Sequence, residues 1–172
     1  MAEPQAIYLS DYRPPAYCVD KTELTFDLDP SATRVRARLH MQRHTEYGED
    51  TALTLYGHGL TTERIAIDGQ VLLDNEYRID GEQLVIDRVP GAFVLDTEVV
   101  IDPANNTALE GLYVSGPIFC TQCEPEGFRR ITWYPDRPDV MAVFTTTVIG
   151  DQKRQPVPVS YTHLRAHETL RY

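Results

Sequence analysis

Arg34-Val35-Arg36-Ala37-Arg38-Leu39-His40-Met41 sets its apolar side chains at odd positions and its basic ones at even positions. Successive side chains of an extended chain point to opposite faces, so this run reads as a strand with one face in a core and the other in water. Leu24, Phe26 and Leu28 just before it keep the same two-residue period, and Asp29-Pro30-Ser31 between the runs favours a chain reversal. The two runs therefore form an antiparallel hairpin. Further strands are expected at residues 53–56, 65–67, 71–73, 77–79, 84–86, 93–101 and 140–148. Within the 93–101 run, Phe93, Leu95, Val99 and Ile101 share one face, while Val94, Asp96, Glu98 and Val100 share the other. Asp68-Gly69 and Asp80-Gly81 accept the positive φ angles of tight turns, so their flanking strands should also pair antiparallel. Helical spacing is hard to find, and the expected fold is all-β, an antiparallel β-sandwich.

The 172 residues suit one domain, and 42% hydrophobic with 24% charged residues is the composition of an ordinary folded protein. Sixteen basic against twenty-six acidic residues leave a formal charge of −10. That field repels phosphate backbones and anionic lipid head groups, so neither nucleic acid nor a membrane is an expected partner. A ligand carrying positive charge, such as a free amine, suits it better. No run approaches the roughly 20 apolar residues that cross a bilayer, and Met1-Ala2-Glu3-Pro4-Gln5 has neither the basic nor the apolar region of a secretory leader. Cys18, Cys120 and Cys123 are too few for a disulfide framework and fit reduced thiols. A cytoplasmic protein is expected.

Residues 102–139 differ from the rest, with Pro103, Gly111, Gly116, Pro117, Pro125, Gly127, Pro135 and Pro138 in one stretch. Regular structure should be interrupted there, and loops anchored on a rigid sheet are where binding residues concentrate. The densest part is Cys120-Thr121-Gln122-Cys123-Glu124-Pro125-Glu126-Gly127-Phe128-Arg129-Arg130. Cys120 and Cys123 have the spacing of a zinc half-site, yet a structural zinc takes four ligands and the sequence has no second pair. A redox pair would need a strand-to-helix setting, so two half-buried thiols beside a turn is the preferred reading. Gln122 and Glu124, two apart in an extended segment, would project to one side. Their oxygens suit the three N–H donors of a primary ammonium group, at about 1.5–3 kcal/mol for a charge-assisted hydrogen bond. The same spacing also describes an ordinary solvated strand face, and on spacing alone both readings stand.

Residues 120–144, with Asn106-Thr107-Ala108-Leu109-Glu110-Gly111-Leu112-Tyr113 before them, resemble the N-terminal domain of the bacterial aminopeptidase N family, zinc aminopeptidases of the gluzincin type. The likeness extends from Tyr12-Arg13-Pro14 through Leu24-Thr25-Phe26-Asp27-Leu28-Asp29 to Asp136-Arg137-Pro138-Asp139, and ends near Ser160. It implies a saddle-like β domain over residues 1–160, incomplete at its C-terminal end, that packs on a catalytic domain of the same polypeptide absent from this chain. It also implies that Gln122 and Glu124 bind the α-amino group of a peptide substrate. The zinc of such enzymes is held by an H-E-x-x-H helix and a distant Glu, which this sequence lacks. His167-Glu168-Thr169-Leu170-Arg171 is a near miss whose fifth position, a charged arginine, is no zinc ligand. No catalytic residue and no metal ligand is therefore expected here, and the domain alone should not catalyse. The alternative from composition is a free-standing β-sandwich module that binds protein or carbohydrate through the Pro/Gly-rich stretch.

Tyr161 to Tyr172 departs from the family pattern and from strand alternation, and resembles foreign read-through sequence. His40, His44 and His58 are read as solvated, and Arg34, Arg36 and Arg38 as a wet sheet face. Phe128, Trp133 and Tyr134 are assigned to packing, and Asp136 with Pro138 to shaping the chain.

Overall fold

The computed structural model describes residues 8–124, 126–151 and 153–154. The expectations for residues 1–5, for a boundary at 160 and for a foreign tail at 161–172 fall outside them. Strands β1 (Tyr17–Asp27) and β2 (Thr33–Arg43) form the hairpin expected from their alternation, with Asp27 opposite Arg34 and Tyr17 opposite Arg43. Asp29 closes it: its Oδ1 accepts the backbone N–H of Ser31 at 2.9 Å and of Ala32 at 3.0 Å. These hydrogen bonds hold the Asp29 carboxyl below the usual carboxylate range. The register slips once, between Val19 and Lys21, so that Asp20 is an extra residue. This bulge moves the buried set from Tyr17 and Val19 to Thr22, Leu24 and Phe26, keeping one face inward along a strand whose sequence changes phase.

The remaining strands are β3 (Leu53–Tyr56), β4 (Thr61–Ile67), β5 (Gln70–Val71), β6 (Arg78–Asp80), β7 (Gln83–Ile86), β8 (Ala92–Ile101), β9 (Gly111–Ser115), β10 (Ile118–Gln122) and β11 (Val143–Ile149). One sheet runs β11-β1-β2-β8-β4-β5, a second β3-β7-β6, and β9 with β10 forms a separate hairpin. Among the described residues there is no α-helix, only 3-10 turns at Leu9–Asp11, Pro103–Asn105 and Phe128–Arg130. Val35, Ala37, Leu39 and Met41 of β2 and Phe93, Leu95, Val99 and Ile101 of β8 share one core with Leu53, Leu55, Leu84 and Ile86 of the second sheet. On the opposite face the arginine stripe meets acids: Arg34 lies 3.0 Å from Glu63 and 3.2 Å from Glu98, and Arg38 lies 2.7 Å from Asp96. That is a wet, self-neutralised surface rather than a phosphate site.

Several expectations change. The strand expected at 71–73 is only the two residues of β5, which leave Asp68 (φ 49°) and Gly69 (φ 82°) as the hairpin turn. Residues 102–139 are not wholly irregular, because β9 and β10 lie inside them. The last strand, β11, pairs parallel to β1, with Lys21 opposite Val143 and Asp27 opposite Ile149, against an otherwise antiparallel pattern. The connection leading into β11 is long, so no tight turn dictates its direction, and strand alternation is blind to it. The three histidines are half-buried rather than fully solvated, and the Nε2 of His40 is buried without a partner.

Candidate functional site

The segment bearing Gln122 and Glu124 is carried by the β9–β10 hairpin. Its two-residue turn, Gly116-Pro117, opens with a positive φ of 60° at Gly116, which glycine adopts without strain. At the far end Gln122, the last residue of β10, pairs with Gly111. Gly111 has φ 70°, and a Cβ there would lie 2.7 Å from the Cβ of Arg130, so only glycine lets the hairpin seat against the following turn. The loop before β9 is tied by Asn106, whose Nδ2 donates to the carbonyls of Glu110 at 2.7 Å and Leu112 at 2.9 Å.

Gln122 and Glu124 are both exposed. The two-residue alternation used to align them ends at Gln122, and Glu124 sits in the bend that follows. The chain then turns: the Gly127 N–H donates to the Glu124 carbonyl at 2.8 Å, and the 3-10 turn Phe128–Arg130 begins at once. Arg129 anchors that turn. Its Nε donates to Asp136 Oδ2 at 2.7 Å and its backbone N–H reaches the same oxygen at 3.2 Å. The guanidinium lies 5.0 Å from the Tyr56 ring centroid, and the Arg129 carbonyl accepts the His58 N–H at 2.8 Å. Tyr56 and Tyr134 exchange backbone hydrogen bonds at 2.8 and 3.1 Å, which ties the segment to β3. Ile131, Trp133 and Tyr134 are in the core, and Phe128 packs edge-on against Tyr134 at 4.7 Å, so these rings serve packing as expected.

Charges around the turn are mostly spoken for. A depression of ≈ 240 Å³ is lined by His58, Glu82, Glu110, Glu126, Arg129 and Arg130. Its acids have basic neighbours: Glu110 lies 3.1 Å from the Arg130 guanidinium, Glu126 lies 3.6 Å from that of Arg129, and Glu82 meets the imidazole of His58. Glu124 has no ion-pair partner among the described residues. Glu124 is thus an exposed carboxylate two residues along the chain from the exposed amide of Gln122.

Cys120 is half-buried within β10, and Cys123 is exposed as a residue although its sulfur is partly desolvated. Desolvation around the sulfur, with the Asp136 carboxylate adding to it, pushes the Cys123 thiol up to about 11. A thiol held protonated at neutral pH is a poor nucleophile. Iodoacetamide should therefore label Cys123 at pH 7.5 roughly a hundredfold more slowly than a free thiol, read by peptide mass spectrometry; labelling at the free-thiol rate would contradict this environment. Among the described residues no group of three or more His, Cys, Asp or Glu is placed to hold a metal ion.

No protein-family model matches the chain. It is 51% identical over 150 residues to aminopeptidase N of Caulobacter vibrioides, covering 87% of this chain and 17% of that protein. It is 44% identical over 158 residues to aminopeptidase N of Escherichia coli, covering 92% of this chain and 18% of the relative. The chain thus spans less than a fifth of the length of the curated relatives it matches. Among solved structures, Legionella pneumophila aminopeptidase A in complex with aspartic acid superposes with a TM-score of 0.79 at 31% identity, over 87% of this chain and 18% of that one. An M1 zinc metallopeptidase from Deinococcus radiodurans, bound to a Tyr-Ser-Ala substrate, shares the fold at a TM-score of 0.63 and 15% identity, over 77% and 32% of the two chains.

Proposed function

We propose, for a chain that corresponds to the N-terminal domain of the aminopeptidase N family, that its task is to grip the free α-amino group of a peptide while hydrolysis proceeds elsewhere in the same polypeptide. The observation that carries this reading is Glu124: exposed, next but one to Gln122, and without an ion-pair partner among the described residues although Glu110 and Glu126 have theirs. Its carboxylate and the Gln122 amide oxygen offer acceptors to the three donors of an ammonium group. An α-amino group titrates near roughly 7.7–8.0, so much of it is cationic at neutral pH. A blocked N-terminus carries no such charge and leaves Glu124 desolvated without compensation, which favours rejection.

The zinc of the family does not fit the residues described here, and the ligands for it are assigned to the part of the polypeptide beyond this domain. Leu109, Ile118, Met141 and Val143 are exposed, and we assign them to contact with that part. The unpaired cysteines support a cytoplasmic setting. No helix among the described residues is long and apolar enough to cross a membrane.

The test uses the full-length polypeptide and one aminoacyl chromogenic substrate in free-amine and N-acetylated forms. Hydrolysis of the free amine alone, lost with a chelator and restored by zinc, is expected. Equal hydrolysis of both forms, or of neither, overturns the proposal.

A further inference from the structure

We infer that Gly127 is a positioning residue that sets the place of Gln122 and Glu124, with the Arg129–Asp136 pair holding Gly127 where it is. The inference rests on the amino-group reading above and deepens it. A Cβ built on Gly127 would lie 3.1 Å from the Glu124 carbonyl oxygen, 3.2 Å from the Gln122 carbonyl oxygen and 3.4 Å from the Cys123 Cα. All three are backbone atoms of the proposed binding segment, so the segment curls around the bare α-carbon of Gly127. Gly127 itself has φ −87° and ψ −25°, a conformation alanine adopts freely. Its requirement for glycine is therefore contact with residues 122–124 and not its own backbone angles.

The turn is rigid from behind. The Arg129 and Asp136 side chains are 15% and 9% exposed, and one Asp136 oxygen takes both the Arg129 backbone N–H and its Nε. With the back of the turn fixed, a methyl group at 127 pushes the front. The displacement falls on the acceptors and leaves the core untouched.

The experiment is a double-mutant cycle in the full-length enzyme, with kcat and KM measured on a free-amine aminoacyl substrate. Gly127→Ala is expected to lower kcat/KM about tenfold or more, since misplacing a binding group by a fraction of an ångström is costly, with the urea midpoint unchanged. In a Glu124→Ala background the same substitution should change kcat/KM by less than about twofold, because the group it displaces is gone. An equal loss in both backgrounds, or no loss in the wild-type background, overturns the inference. If Glu124→Ala alone leaves the kinetics unchanged, the amino-group reading falls instead, and this inference with it. Should Gly127→Ala fail to fold, Asp136→Asn carries the test: it keeps the shape and removes the charge that fixes Arg129. Its loss must likewise vanish in the Glu124→Ala background, and persistence there overturns the inference.

Discussion

Glu124→Ala in the full-length polypeptide is expected to lower kcat/KM for a free-amine substrate by roughly ten- to a hundredfold. The magnitude follows from the contact: a charge-assisted hydrogen bond is worth about 1.5–3 kcal/mol, and each ~1.4 kcal/mol is tenfold in rate. The deficit should appear largely in KM if the carboxylate holds substrate and transition state alike, and in kcat if it aligns the scissile bond. Glu124→Gln keeps an acceptor and loses the charge, so it should fall between. pH gives a further check with a fixed sign. The substrate amine is cationic below roughly pH 7.7–8.0, so the gap between wild type and Glu124→Ala should be widest there and narrow as pH rises through that range. Unchanged kinetics at every pH would remove Glu124 from the site, and the proposed function would lose its support.

Trp133→Ala should lower the unfolding free energy by about 3–5 kcal/mol, the usual range for truncating a buried large aromatic. The indole is 2% exposed, and its Nε1 donates to Thr62 Oγ1 at 2.9 Å. It lies so close to Gly57 that a Cβ there would sit 2.5 Å from its Cε3. Removing it opens a cavity between the sheets and releases the segment that leads back to the binding turn. Trp133→Phe should cost less, since it keeps most of the ring volume but strands the Thr62 hydroxyl. Urea unfolding of the 172-residue chain, followed by circular dichroism because Trp133 is its one tryptophan, measures both. A change below about 1 kcal/mol for Trp133→Ala would show that the ring does not carry the packing assigned to it.

β2 and β8 could be read from their letters because each buries one face, which forces a strict two-residue period on the chain. The β1–β2 turn was equally plain, because Asp29 acts on residues two and three positions away. The β9–β10 hairpin was not. Leu112, Tyr113 and Val114 run consecutively and most of β10 is exposed, so no alternation marks it. Gly116-Pro117 between two apolar runs was the signal available. Gln122 and Glu124 were named as a pair from the residue types and the family resemblance, yet the strand ends at Gln122 and Glu124 belongs to a turn closed by the Gly127 N–H, so the two do not share a strand face.

Sequence alone determined which segments are strands with a buried face, where the short turns fall and which side chains carry acceptor chemistry, because each depends on neighbours within a few residues. Tertiary structure alone decided that β11 lies parallel beside β1, that Gly111 and Gly127 meet backbone and Arg130 rather than space, and that Glu110 and Glu126 have an arginine partner while Glu124 has none among the described residues. Those outcomes are set by contacts between residues far apart in the chain, or by the path of a loop, and Coulomb and steric forces act through space without regard to position in the sequence.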